Sequence, residues 1–289
     1  MKEGCELILE KTTYAPGEVV EAKLQCTYFS EHKVKSVRVI FSGEVKVSWS
    51  EGKYVSYEDE HQVLKSDVVL VEGETVFQPG TYNYQVVFAL PGDLPSSLEA
   101  KHGHVKYKAE AVISRPWAID YNSKKSFAEA QILLQCLQNV VKATQEKTPM
   151  RFFKPSGPIT VAVELPQSAY AQGETISFVA NLKNDSSVIV KELRFQIVQG
   201  YEFHVGKKTI EQIVCAGQDF AVANSSVPGG TSDSWNLELK VPADMPIALM
   251  GNCELITAFW KLRGEARLPF PHNNVTIDVP ITLGAHDDP

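Results

Sequence analysis

The sequence predicts an all-β protein built from two antiparallel β-sandwiches in tandem. Three observations lead to this prediction: the chain repeats itself once, apolar and polar residues alternate over many short segments, and turn-forming residues separate those segments. The 289 residues, of which 44% are hydrophobic and 22% charged, suit two ordinary globular domains.

The internal repeat sets the domain organisation. Tyr14-Ala15-Pro16-Gly17-Glu18 returns as Tyr170-Ala171-Gln172-Gly173-Glu174, and Leu90-Pro91-Gly92-Asp93-Leu94-Pro95 is echoed by Val241-Pro242-Ala243-Asp244-Met245-Pro246. A repeat this long is a whole domain, unlike the short units that must stack to bury a core. We therefore expect a first domain over 1–145, a linker over 146–156 and a second domain over 157–289.

The alternating segments have the period of β-strands. From Val37 to Trp49 the odd positions are apolar or glycine and the even ones are mostly polar, and the same alternation recurs at 105–113 and 193–197. A period of two with a polar outer face is typical of antiparallel sheets packed on a core. Pro-Gly turns between many short strands favour a sandwich of two stacked sheets.

One segment departs from this pattern. Between Ser126 and Lys147, apolar residues recur at spacings of three and four among good helix formers, which locally predicts a helix. The turn formers that follow, Thr148-Pro149 and Lys154-Pro155-Ser156-Gly157-Pro158, indicate the connection into the second domain.

Charge and cysteine content narrow the class of partner and the compartment. The formal charge of −7 argues against nucleic-acid binding, which depends on Lys and Arg displacing counterions. The chain has no apolar run of membrane-spanning length and opens without an apolar signal segment. Its five cysteines are widely spaced and odd in number, so we expect a cytoplasmic protein with free thiols.

Motifs for catalysis or cofactor binding are missing from the sequence. It contains no G-x-S-x-G elbow, no glycine-rich phosphate loop and no H-E-x-x-H helix, so we expect no enzyme activity, no cofactor and no small-molecule substrate. His102-Gly103-His104 places two imidazoles on one side of an extended segment, but without a third ligand we favour a structural role over a metal site.

The order of motifs along the chain resembles that of the arrestin-domain-containing proteins, the α-arrestins. The segments that carry the resemblance are Gly43 to Trp49-Ser50-Glu51, Leu90-Pro91 with Leu94-Pro95-Ser96-Ser97, Gly103 to Tyr107, Arg115-Pro116-Trp117, Gly173-Glu174 and Asn184-Asp185-Ser186. The resemblance implies two arrestin-type, immunoglobulin-like β-sandwiches joined by a short linker. It also implies a strand in the region after Phe127, so 127–145 stays open between helix and strand.

The same resemblance implies a function without chemistry. Such proteins are adaptors that bind cytoplasmic parts of membrane proteins in protein transport, endocytic sorting or signalling, at the plasma membrane or endosomes. The alternative is an endosomal coat subunit of arrestin-like architecture. Typical relatives carry a P-P-x-Y tail for ubiquitin ligases, whereas this chain has no Pro-Pro pair, so we expect any ligase to be reached indirectly. One thioredoxin-binding relative has a Cys where Ser232 stands, so thioredoxin binding is not expected.

Two sets of site residues follow. Lys106 and Lys108 share one polar strand face and are expected to bind an acidic cytoplasmic tail. Basic residues around Phe152-Phe153 could rest on a membrane surface, although an ordinary connector is favoured. The motif residues that we expect to be structural are Gly43, Trp49, Pro91, Pro95, Ser96, Tyr107, Arg115, Pro116, Trp117, Gly173, Asn184 and Ser186.

Overall fold

A computed structural model of the chain describes residues 3–15, 17–116, 120–129, 141–148, 150–151, 154–155, 157–216, 219–223, 225–243, 250–251 and 253–284. Every regular element in these ranges is a β-strand, which confirms the predicted all-β class. The chain divides into two compact units: one comprises Met1–Gln131, Glu202–Ile210 and Ala248–Thr257, and the other comprises Ile132–Tyr201, Glu211–Ile247 and Ala258–Pro289. The boundaries at 145 and 157 stay a prediction.

The first unit contains two sheets. Its strands are β1 (Gly4–Leu9), β2 (Thr13–Tyr14), β3 (Val19–Tyr28), β4 (His32–Glu51), β5 (Val55–Phe77), β6 (Gly80–Ala89), β7 (Leu98–Ala100), β8 (Gly103–Ser114) and β9 (Tyr121–Glu129). One sheet has the order β1-β3-β6 and the other has the order β2-β9-β8-β4-β5, with β7 paired to β8. Apolar side chains from both sheets meet between them, as where the Phe41 and Phe88 rings stack at 4.6 Å.

The second unit repeats this plan, and three of its strands, at 192–205, 208–216 and 256–267, also include residues of the first unit. The remaining strands are β10 (Val141–Lys147), β11 (Met150–Arg151), β12 (Lys154–Pro155), β13 (Ile159–Leu165), β14 (Ala169–Ala171), β15 (Thr175–Asn184), β16 (Glu192–Val205), β17 (Lys208–Ala216), β18 (Ala221–Ala223), β19 (Thr231–Lys240), β20 (Ile256–Arg267) and β21 (Val275–Gly284). One sheet runs β10-β13-β15-β19, and the other runs β14-β21-β20-β16-β17 with β18 paired to β16. Phe178 of the first sheet and Phe195 of the second meet edge to face at 4.9 Å.

The sequence repeat folds into the same turn twice. The Glu18 carboxylate accepts the Ala15 N–H at 2.9 Å, and the Glu174 carboxylate accepts the Ala171 N–H at 2.7 Å. Gly17 and Gly173 have φ values of +80° and +79°, a left-handed conformation that glycine adopts without steric cost. The tyrosine of each copy lies in a short strand, β2 or β14, whose pairing is parallel.

The helix predicted locally between Ser126 and Lys147 is wrong at both ends, because β9 and β10 occupy them; residues 130–140 lie outside the described part. The physical reason lies in β9. Phe127 is buried and packs within 5.8 Å of the Tyr14 ring and 5.7 Å of the Tyr107 ring. Pairing with β8 also satisfies the β9 backbone, so tertiary contacts override helix propensity.

The expectation of five free thiols is also wrong, because Cys5 and Cys26 form a disulfide. The two residues lie directly opposite each other in the β1–β3 ladder, with Cα atoms 4.1 Å apart. Spacing along the sequence could not reveal this proximity, which depends on the pairing register. Cys253 is free, Cys136 lies outside the described residues, and the side chain of Cys215 is not described.

Candidate partner-binding site

The candidate site is the outer face of β8. Val105, Tyr107 and Ala109 point inward and are buried, whereas Lys106 and Lys108 between them are exposed on the opposite side. This division follows from the two-residue period of a strand. Both lysines that the sequence singled out therefore lie on one face, one above the other.

Lys106 lies where β8 changes its neighbour. β7 pairs with β8 only as far as Val105, and β9 pairs from Tyr107 onward, so Lys106 falls between the two. A cavity of about 320 Å³ opens there, with apolar walls from Leu98 and Phe127. The Lys106 ammonium is 2.8 Å from the Glu99 carboxylate, and this hydrogen bond lowers the pKa of Glu99.

Lys108 belongs to a row that crosses four strands. The pairing register places Lys65 of β5, Ser42 of β4, Lys108 of β8 and Ser126 of β9 side by side. Strands lie about 4.8 Å apart, so the two lysines are about 10 Å from each other with a hydroxyl between them.

The charges around this row are already paired. Lys124 is 3.3 Å from Glu110 and Arg38 is 3.3 Å from Asp67. By contrast, neither Lys65 nor Lys108 forms an ion pair with any side chain that the structure describes. The row therefore offers two uncompensated ammonium groups flanked by serine hydroxyls, a pattern that suits carboxylate or phosphate oxygens. The sequence analysis missed Lys65, because only the register brings it beside Lys108.

Motif residues in the first unit pack around Tyr107. Gly43 leaves room for the Tyr107 ring, since an added Cβ would collide with it. The Tyr107 hydroxyl donates to the Pro95 carbonyl at 2.5 Å, and neighbouring Ser96 is buried. These contacts give Gly43, Pro95 and Tyr107 a structural explanation.

Other motif residues in the first unit are held by turns and stacking. Trp49 is buried and stacks on Tyr57 at 5.2 Å. The Pro91 carbonyl accepts the Gly17 N–H at 3.3 Å. The Arg115 N–H donates to the Asp120 carboxylate at 3.1 Å. Pro116 follows in a turn, and Trp117 lies outside the described residues.

The Asn184 and Ser186 motif is a buried polar network. The Asn184 side-chain amide donates to the carbonyls of Val188 at 2.8 Å and Val227 at 3.0 Å. Its side-chain oxygen accepts the Ser186 N–H at 3.1 Å and the Ser186 hydroxyl at 2.6 Å. The network holds the turn after β15 against a second segment of chain, while Gly173 supplies the positive φ of the repeated turn.

The remaining residues that the sequence singled out, the two histidines and the basic residues near Phe152-Phe153, do not form a common site. His104 faces Glu44 at 3.7 Å, whereas burial lowers the pKa of His102, whose ring meets Phe203 edge to face. In the described ranges no group of three or more His, Cys, Asp or Glu side chains could hold a metal ion. Of the basic residues around Phe152-Phe153, Lys142 pairs with Glu164 at 2.8 Å, and Phe152-Phe153 itself is outside the described ranges.

Comparison with known proteins finds two domain families along the chain. Residues 5–133 match the family described as Arrestin (or S-antigen), N-terminal domain, and residues 155–287 match Arrestin (or S-antigen), C-terminal domain. The thioredoxin-interacting protein of Homo sapiens is 28% identical over 287 residues, which cover 94% of this chain and 71% of that protein. Arrestin domain-containing protein 4 of Mus musculus is 26% identical over 295 residues, which cover 95% of this chain and 69% of that protein. Among the described residues, no helix is long and apolar enough to cross a membrane.

Proposed function

Because the chain belongs to the arrestin family, in the α-arrestin branch with arrestin domain-containing protein 4, we propose that it is a non-catalytic intracellular adaptor for cytoplasmic parts of membrane proteins. In this role it takes part in protein transport, endocytic sorting or signalling, and it is peripheral at the plasma membrane or endosomes. The proposal is supported by family membership along nearly the whole chain and by the exposed row of Lys65 and Lys108.

The observation that carries the proposal is the row of Lys65 and Lys108 on the first unit. An extended acidic tail could lay carboxylates on both ammonium groups while its backbone meets Ser42 and Ser126. Lys106 would join once an incoming carboxylate competes with Glu99 for its ammonium group. Contacts of this kind give modest, salt-dependent affinity, which suits cargo that must be released.

Charge reversal at the two lysines predicted from the sequence tests the proposal. Lys106→Glu with Lys108→Glu should weaken binding of an acidic tail peptide by about tenfold or more, because a like-charge contact replaces attraction. The melting temperature should hardly change, since surface substitutions typically cost under about 0.5 kcal/mol. The measurement is fluorescence anisotropy at two salt concentrations.

Lys33→Glu with Lys35→Glu is the matched control, because these lysines are also exposed and two residues apart on the same sheet. Equal binding by the reversed variant and by wild type would rule out this face. Purification from cells tests the role itself: a stable stoichiometric complex would favour the coat-subunit alternative, whereas an adaptor should elute mostly alone. Purified WW domains should not bind these 289 residues, since they contain no Pro-Pro pair.

A further inference from the structure

The second unit contains a long strand that is paired on one side only. β19 has 10 residues and pairs with β15 along its whole length in an unbroken register. In the part of the chain that the structure describes, β19 ends its sheet, with no strand beyond it.

This edge lacks most of the devices that usually protect one. Natural edge strands are blunted by prolines, bulges, short length or charged side chains, and of these β19 carries only charged residues, Asp233, Glu238 and Lys240. The edge strand β5 of the first unit shows this protection, because its pairing with β4 shifts register at three places. β19 contains no proline and no such shift, so its backbone can receive another strand.

The hydrogen-bonding pattern identifies the groups that face outward. Just beyond the strand, the Val241 N–H donates to the Glu174 carbonyl at 2.8 Å. In an antiparallel ladder every second residue bonds to the same neighbour, so the odd-numbered residues of β19 bond to β15. The N–H and C=O groups of Asn236 and Glu238 therefore point to the open side, as does the Ser234 C=O, whereas the Ser234 N–H donates to the Asp233 carboxylate at 2.8 Å.

A groove of about 840 Å³ lies beside this edge. Phe178, Leu237 and Phe220 give it apolar walls, and Phe220 is 43% exposed. Glu238 supplies its uncompensated negative charge, because the Glu164 carboxylate is already 2.8 Å from the Lys142 ammonium. An apolar side chain that entered the groove would be buried, and a basic one would be attracted.

We propose that β19 and this groove bind an extended segment of a partner protein by strand addition, and that the segment alternates apolar with basic residues. Backbone pairing along β19 would supply affinity, while the groove and the Glu238 carboxylate would supply selectivity. The biological meaning rests on the proposed adaptor role, because an adaptor must hold two partners. The basic row on the first unit and the Glu238 carboxylate beside this groove would attract side chains of opposite charge.

A synthetic peptide tests the inference directly. The probe is a labelled ten-residue peptide, equal in length to β19, with alternating valine and lysine and blocked termini. Two control peptides carry either glutamate in place of lysine or N-methyl groups at alternate amides on the pairing edge. We expect the parent peptide to bind the full chain, and both controls to bind about tenfold more weakly or worse, since charge or pairing is lost.

Substitutions in the protein test the same backbone hydrogen bonds and charge contacts. Asn236→Pro removes an outward N–H but no bond to β15, because proline is tolerated where a strand's N–H faces solvent. It should abolish binding, whereas Glu238→Gln should weaken binding severalfold and reduce its salt dependence. If Asn236→Pro lowers the melting temperature, the N-methylated peptide still decides the question.

Tight binding of the N-methylated peptide, equal binding of the glutamate peptide, or no binding of the parent below about 1 mM would each overturn the inference. A monomer–dimer equilibrium abolished by Asn236→Pro would instead assign the edge to a second copy of the chain. Binding of an acidic tail to the lysine row is an independent measurement. Peptide binding with no tail capture would contradict the adaptor role, whereas tail capture without peptide binding would contradict only this inference.

Discussion

At the scale of single residues, Asn184 shows how one side chain can organise a loop. It is fully buried, and its amide group takes part in four hydrogen bonds, two donated and two accepted. Removing the amide leaves buried carbonyls of Val188 and Val227 without that donor. A buried polar group that loses its partner costs about 1–3 kcal/mol.

We therefore predict that Asn184→Ala lowers the free energy of unfolding by about 3 kcal/mol. The matched control is Asn181→Ala on the exposed face of the same strand, β15, which should change it by less than about 0.5 kcal/mol. Urea unfolding followed by tryptophan fluorescence measures both. Similar small effects at the two positions would mean that the network contributes little to stability.

The candidate site shows which positions of side chains can be predicted from the sequence and which cannot. Alternation along 105–113 was enough to put Lys106 and Lys108 on one exposed face. It could not reveal that Glu99 holds Lys106, or that Lys65 lies in the row of Lys108. The first contact depends on the pairing of β7 with β8. The second depends on the β4–β5 register, which shifts between Gly43 and Glu44, and such a shift leaves no simple mark in the sequence.

At the scale of elements, the strands predicted from period-two segments are present, whereas the helix predicted beside them is not. β9 carries helix formers, yet it forms a strand because Phe127 packs on Tyr14 and Tyr107 and because its backbone pairs with β8. The pairing of β1 with β3, and with it the Cys5–Cys26 bond, was equally out of reach, since alternation identifies strands but not their neighbours.

The anchoring of β1 leads to a prediction for this element. Leu7 is fully buried and its N–H donates to the Ser123 hydroxyl at 3.1 Å, whereas the side chain of adjacent Ile8 is 42% exposed. Leu7→Ala should cost about 2–5 kcal/mol, as large-to-small changes in a core do, and Ile8→Ala much less. Denaturant titration of both variants under the same redox conditions measures the difference. Equal costs would show that β1 is not held by its inner face.

At the scale of the molecule, the repeat correctly predicted two similar β-sandwich units, but the contacts divide the chain less simply than the repeat suggests. The first unit includes Glu202–Ile210 and Ala248–Thr257, which belong to the second copy of the repeat in sequence. Periodicity and turn residues report local structure, and neither could show that a unit takes segments from a distant part of the chain.

A fragment experiment follows from this division. A 1–145 fragment lacks both distant segments, so we predict faster amide hydrogen exchange in its β4 and β8 than in the same strands of the full chain. Mass spectrometry of peptides from both samples measures the difference. Identical protection would show that the first domain is complete without those segments.

The divided first unit also bears on synthesis at the ribosome. Translation proceeds at about 5–20 residues per second, so roughly 6–25 seconds separate the emergence of Gln131 from that of Thr257. During that interval the nascent chain lacks Glu202–Ile210 and Ala248–Thr257, so the His102 ring lacks its contact with Phe203. We therefore expect the first unit to finish folding only after translation has passed Thr257, and until then to be a client for chaperones that bind nascent chains.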